Sequence, residues 1–501
     1  MSSKKPPVVA KQVLLPFALV TTLFALWGFA NDVTNPLVAA FRDIFVISNA
    51  QSAWVQTAFY GGYATMALPA ALFIRRYSYK SGILLGLALY ATGAMIAIPA
   101  AQMINFNIFL VALYILTFGL AFLETTANPY ILSMGDRATA TQRLNLAQAF
   151  NPIGSLTGMT VASLAILSSL QVSELRTEVQ DFHRHATTAE IATADPPQTD
   201  EALAAYLASL DNLDEMSGDA ALASALEAFK EGEIADFRSV THAEMQRHDL
   251  DIVKTPYVVI GLVVIGMFFV FLFTRMPDTA THASEKLDLP TTFSILLKTR
   301  HYREGVVAQA FYVGAQIMCW TFIIHYGITN LGLTAAQAQN YNIIAMIIFC
   351  SSRFICTFLL KYINPSRLLF LLSIGGILCC VGTIFLPGYA GLYSLMAISA
   401  CMSLMFPTIY GIALDGMGDE AKIGSAGLIF AIVGGALMPP LQGRLIDLGG
   451  EAGLIAGMPA VSFSFILPLI CFVVIAAYAY RSRRHGRTDL LSEIPVGKPI
   501  S

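Results

Sequence analysis

The sequence predicts an all-α, polytopic membrane protein of twelve transmembrane helices in two six-helix halves. Three observations predict it. Of 501 residues, 56% are hydrophobic and only 13% are charged, whereas a soluble domain carries about 25% charged residues. Twelve apolar runs each supply the roughly 20 residues that a bilayer core requires. Charge is also segregated. Residues 171–254 hold 6 Lys and Arg against 18 Asp and Glu, net −12, and the other 417 positions hold 24 against 15, net +9. This pattern excludes an ordinary soluble enzyme, a disordered chain and a nucleic-acid binder with a basic face.

The runs fall at about 13–41, 52–74, 81–101, 105–134, 143–170, 255–275, 303–329, 337–361, 366–387, 389–414, 421–446 and 460–480. The first follows Lys4, Lys5 and Lys11 in the manner of a signal peptide, but it is long, lacks a clear cleavage site and precedes eleven more, so it reads as retained. The organisation expected is an N-terminal half with helices one to five in 1–170, an acidic insertion at 171–254 and a sixth helix at 255–275. A central connection at 276–302, a C-terminal half with helices seven to twelve at 303–480 and a tail at 481–501 follow. Within the insertion, the Ala-, Leu- and Glu-rich stretch 201–235 predicts two short helices separated by Ser217-Gly218, with Pro196-Pro197 breaking the chain before them. Its charge and composition predict a small solvated cap outside the carrier mechanism.

Orientation follows from the short connections. With the N-terminus inside, the inner loops and tail carry 21 Lys and Arg, against only Arg42 and Arg444 in the short outer loops. The positive-inside rule therefore puts both termini in the cytoplasm and the insertion outside; long loops count little in this rule. A weak parallel repeat relates the halves: Trp27 answers Trp320, Arg76-Tyr77 answers Lys361-Tyr362, Pro129 answers Pro407 and Arg143 answers Lys422, with offsets between 278 and 293. Two such halves with a substrate site between them near mid-membrane are the plan of major-facilitator transporters. All seven cysteines lie in apolar runs of the C-terminal half, which is no disulfide framework and no zinc spacing.

Ionisable groups inside a bilayer cost about 2.5–3.5 kcal/mol at mid-helix and mark function or a structural ion pair. Glu124, in FLETTANPY, lies deep in the fourth helix, and Asp32, in WGFANDVTNP, lies in the outer half of the first. Arg353 lies in the eighth helix, where it reads as a structural counter-ion or a cap on a substrate path, and His325 lies near the outer end of the seventh. Keeping a carboxyl of ordinary pKa about 4.3 neutral at pH 7 costs roughly 3.7 kcal/mol, close to the cost of burying it charged. A change of hydration between two conformations can then decide whether Glu124 keeps its proton, the property a proton-coupled carrier needs.

Amides come second. Asn31, Asn35, Asn128, Asn145, Gln148, Asn151, Gln309, Gln316, Asn340 and Asn342 fall within or at the ends of apolar runs. An amide offers donors and an acceptor, which sugar hydroxyls need; helix–helix glue is the alternative. Of the three tryptophans, Trp27 and Trp320 hold matching places in the first helix of each half and can pack on a sugar's C–H face, whereas Trp54, at a helix mouth, reads as an interfacial anchor. Asn151-Pro152, Pro129, Pro407 and Pro439-Pro440 interrupt spans, and backbone groups freed in lipid must line a cavity or find partners.

At these segments the sequence resembles the fucose–galactose–glucose proton symporters of the major facilitator superfamily. The resemblance covers nearly the whole chain apart from 171–250. It is strongest in FALWGFAND, SYKSGILLGLALYATGA, FLETTANPY, RLNLAQAFN, AQAFYVGAQIMCW (which contains Tyr312) and FPTIY. It implies a major-facilitator fold and a role for the fourth-helix glutamate, here Glu124, in sugar binding and proton transfer. The family's first-helix aspartate has no counterpart: Asn35 stands at that position and Asp32 falls one turn earlier. The large outer insertion is also unlike the family.

The expected function is proton-coupled symport of a neutral monosaccharide, with L-fucose the first candidate and galactose, glucose or a related sugar also open. The alternatives are an uncoupled facilitator, a carrier of another small polar solute, or a transporter-like sensor. Proton coupling is assigned to Glu124 and Asp32. Sugar contact is assigned to Trp27, Asn31, Asn35, Glu124, Asn128, Gln148, Asn151, Gln309, Tyr312, Gln316 and Trp320. The expected partners are sugar, proton and lipid bilayer, in a bacterial inner membrane; no metal, cofactor, catalytic residue, nucleic acid or obligate protein partner is expected.

Overall fold

A computed structural model describes residues 6–34, 37–47, 51, 54–187, 199–210, 213, 216, 218–277, 289–333, 335–449 and 454–492. Among these, twelve helices are long and apolar enough to cross a bilayer: Lys11–Val33, Thr57–Arg76, Tyr79–Gln102, Phe106–Ser133, Arg137–Ile166, His242–Phe273, Arg300–Leu331, Gln337–Leu359, Pro365–Phe385, Tyr389–Ala413, Ala421–Asp447 and Ala460–Arg483. They are the twelve expected spans, in order.

Two ends differ from expectation. The sixth helix begins at His242 rather than 255, because Thr241 and Glu244 form a capping box that starts it well before the apolar run. The first run divides into Leu14–Thr34 and a separate short helix, Leu37–Phe45; Asn35 lies outside the described residues.

The halves repeat one packing plan. In the N-terminal half the first span packs on the fifth, the second on the fourth, and the third on the fourth and sixth; in the C-terminal half the seventh packs on the eleventh, the eighth on the tenth, and the ninth on the tenth and twelfth. Close backbone approach makes these contacts, as expected where lipid removes the hydrophobic drive between helices. A Cβ on Gly154 of the fifth span would sit 1.9 Å from the carbonyl oxygen of Ala25 in the first, and one on Gly434 of the eleventh would sit 2.1 Å from that of Ala310 in the seventh. Only glycine permits either approach.

The halves meet mainly at the end of the bundle opposite the insertion, here the tail side. Arg137 Nε donates to Asp415 Oδ1 at 2.6 Å, Gln142 Nε2 to the Thr357 carbonyl at 3.2 Å and Asn145 Nδ2 to Thr408 Oγ1 at 3.1 Å. The Lys422 ammonium sits 5.3 Å from the ring centre of Tyr79. In the connection between the halves, a helix Leu289–Lys298 accepts from Arg75 Nη1 through Thr292 Oγ1 at 2.9 Å.

The insertion is a small helical unit. The two expected helices are Glu201–Ala208 and Gly218–Glu231, and a longer third, Gln171–Thr187, precedes them. Leu175, Val179, Leu203, Leu207, Ala221 and Ala225 are fully buried in it. All seven cysteines carry free thiols.

Candidate functional site

The site grows from two prolines. Pro152 and Pro407 bring no N–H, so each leaves the carbonyl four residues earlier without its helical donor. Those carbonyls belong to Gln148 in the N-terminal half and Ser403 in the C-terminal half, and the tenth span is accordingly two helices, Tyr389–Met402 and Met405–Ala413. Arg353 answers both: Nη1 donates to Gln148 O at 3.0 Å, and Nε donates to Ser403 O. Its guanidinium lies 4.5 Å from the ring centre of Phe349, and the residue is 3% exposed. Only a planar fork of donors reaches two carbonyls at once. Among the described residues it has no carboxylate partner, so the expectation of a counter-ion gives way to a clamp between the halves.

Glu124 is 4% exposed, and its Oε2 has no hydrogen-bond partner among the described residues. The fourth span that carries it packs on the second span of its own half and on the eleventh span of the other. One turn below it, Asn128 Nδ2 donates to the Glu124 carbonyl at 2.9 Å, and Gln148 Nε2 donates to Asn128 Oδ1 at 2.6 Å. A ladder thus runs from the backbone of Glu124 through Asn128 and Gln148 to Arg353 and the tenth span.

Trp27 is half-buried, and its indole N–H donates to the Tyr63 hydroxyl. Asn31 lies one turn further out and donates to Asp32 Oδ1 at 3.3 Å.

In the C-terminal half, Gln309, Tyr312, Gln316 and Trp320 recur at helical spacing along one face of the seventh span. Gln309 is fully buried, and among the described residues neither of its amide atoms nor the buried Tyr312 hydroxyl has a bonding partner. Tyr312 packs edge-on to Phe406 at 6.2 Å. Trp320 is half-buried; its N–H donates to Ser399 Oγ at 3.2 Å and its ring meets Phe349 edge-on at 5.0 Å. Unbonded buried amides and hydroxyls cost about 1–3 kcal/mol each, so Gln309 and Tyr312 suit contact with a polar solute.

Asn151 is engaged otherwise. Its Nδ2 donates to the Phe24 carbonyl at 3.2 Å, joining the first and fifth spans. Asn145 joins the halves through Thr408, and Asn340 and His325 are exposed. Trp54 is 58% exposed, as an interfacial anchor should be. Tyr63, which takes the Trp27 N–H, carries no sequence signal: a tyrosine in an apolar run looks like core.

The sequence profile described as Major Facilitator Superfamily matches residues 19–173. An L-fucose-proton symporter from Haemophilus influenzae is 51% identical over 475 residues, covering 95% of this chain and 98% of that protein. An L-fucose-proton symporter from Escherichia coli is 31% identical, over 95% of this chain and 94% of its own length. Among solved structures, the major-facilitator transporter FucP in its outward conformation superposes with a TM-score of 0.73 at 30% identity, over 94% of this chain and 99% of that one. These relatives are transporters, and the chain belongs to the fucose–galactose–glucose proton symporter family of the major facilitator superfamily.

Proposed function

We propose that this chain is a proton-coupled symporter of a neutral monosaccharide, first of all L-fucose, working by alternating access in a bacterial inner membrane. Glu124 carries the proton. The observation that supports this most is a buried carboxyl oxygen with no bonding partner among the described residues, set one turn above an amide ladder. A carboxyl so placed gains or loses a proton as its hydration changes. Trp27 and Asn31 on one side, and Gln309, Tyr312, Gln316 and Trp320 on the other, form the sugar site. Asn128 and Gln148 orient it from below, and Asp32 assists coupling from the outer side. Asn151 sets the distance between first and fifth spans that holds Trp27 in place.

The contacts that join the halves lie on the tail side, which supports an outward-facing state. The excess of Lys and Arg in the short connections of that side supports a cytoplasmic placement of both termini. Purified carrier in liposomes should accumulate labelled L-fucose when the outside is made acidic, and unlabelled sugars competing in that assay rank the substrates. Equilibration without accumulation would reduce the protein to a facilitator.

A further inference from the structure

The short helix Leu37–Phe45 continues the first span towards the insertion. Its aromatic residues pack on the start of the fourth span, with Phe41 and Phe109 ring centres 5.2 Å apart and Phe45 and Phe106 5.4 Å apart. The same helix carries Asp43, which is only 4% exposed. Arg42 Nε donates to Oδ1 of Asp43 at 3.0 Å, and Arg176 donates to Oδ2 through Nε at 3.0 Å and through Nη2. Arg176 belongs to the insertion.

The arginine is itself fixed. It sits on the helix Gln171–Thr187, whose first two N–H groups, of Gln171 and Val172, each donate at 2.9 Å to the fully buried carboxylate of Asp249 on the sixth helix. Leu175 and Val179 on the same helix are fully buried. Gln246, one turn before Asp249, donates through Nε2 to the Ile44 carbonyl at 2.8 Å. The sixth helix, the insertion and the outer end of the first span therefore form one closed circuit of bonds. An exposed ion pair would hold little. A buried carboxylate taking a guanidinium fork holds geometry as well as charge. This departs from a solvated cap indifferent to the carrier.

We propose that the insertion is a positioning element of the transport cycle, in which Arg176, bonded to Asp43, fixes the outer segment of the first span and through it the register of Trp27, Asn31 and Asp32. Arg176 is a positioning residue and touches no substrate. Asp43 belongs to the N-terminal half, and Arg176 sits on an insertion helix bonded to Asp249 of the sixth helix, which packs on that half, so the bond persists while the halves rock. The proposal rests on the sugar-carrier reading for its kinetic arm only.

The test uses full-length carrier with R176A and D43N combined, so that no buried charge is left unpaired and folding is preserved; size-exclusion elution in detergent verifies this. In liposomes, KM for L-fucose should rise about fivefold or more while the maximal rate changes little, as expected for displaced binding groups. Hydrogen exchange over 37–45 should quicken about tenfold, reporting local release without any sugar. Wild-type KM together with wild-type exchange in the double variant would overturn the proposal, leaving the pair as charge neutralisation alone. Failure of the wild type to accumulate L-fucose would contradict the carrier reading instead, and the exchange measurement would then decide the proposal by itself.

Discussion

Trp27 and Trp320 hold matching places in the two halves, and each spends its N–H on a neighbour of its own half. Tyr63 takes one and Ser399 the other. The rings are thereby held in place, and on the proposed reading the flat face is what meets the sugar. Removing either ring should weaken binding by about 1 kcal/mol or more, which is about fivefold in affinity, whereas Trp54→Ala, at an exposed position, should leave it unchanged. Binding titrations of the three variants check this, and equal losses at all three would point to general destabilisation. Glu124, Trp27 and Trp320 were legible because a carboxyl in an apolar run is costly and tryptophan is scarce in this chain. Tyr63 was not, because nothing in a linear run tells which tyrosine hydroxyl receives an indole N–H from another helix. Asn151 illustrates the converse: an amide in a span offers sugar contact and helix glue equally, and only packing against the Phe24 carbonyl assigns its nitrogen to the second.

Helices that break at proline need donors from elsewhere, and here one side chain serves two of them. Arg353→Ala strands the carbonyls of Gln148 and Ser403, each at a cost of about 1–3 kcal/mol, and severs a bond between the halves. The closed tail side should then open more often. A cysteine placed at Thr141, which faces Gly411 across the interface, should react faster with a tail-side thiol reagent in the Arg353→Ala background than in the parent, both lacking the native cysteines. Arg353→Lys should behave like Arg353→Ala, because an ammonium on a single stem does not span both carbonyls; wild-type reactivity in both would contradict the clamp. Span existence and order were readable from apolar length alone. The early start of the sixth helix was not, because its first turns are polar and their helicity depends on a capping box. The helix Gln171–Thr187 also escaped, although Val172, Leu175 and Val179 recur at helical spacing, because its charges dominate its composition.

At the scale of the whole molecule, the two halves share a packing plan and meet mainly at one end. That is the arrangement a rocking carrier requires. The charge asymmetry of its connections predicts the insertion outside. A Glu231→Cys variant, altered at an exposed position in the insertion, should react with an impermeant thiol reagent on intact spheroplasts; labelling only after rupture would reverse the topology. The central claim is that the proton travels on Glu124. A neutral amide resembles the protonated acid, so Glu124→Gln should hold the carrier in its loaded-like form, allowing downhill exchange of sugar but no accumulation. The most direct measurement follows sugar uptake and alkalinisation of a lightly buffered medium together, in wild type and in Glu124→Gln. The account predicts that both accumulation and alkalinisation vanish in the variant while exchange survives. Accumulation against a gradient with undiminished proton uptake in Glu124→Gln would contradict it.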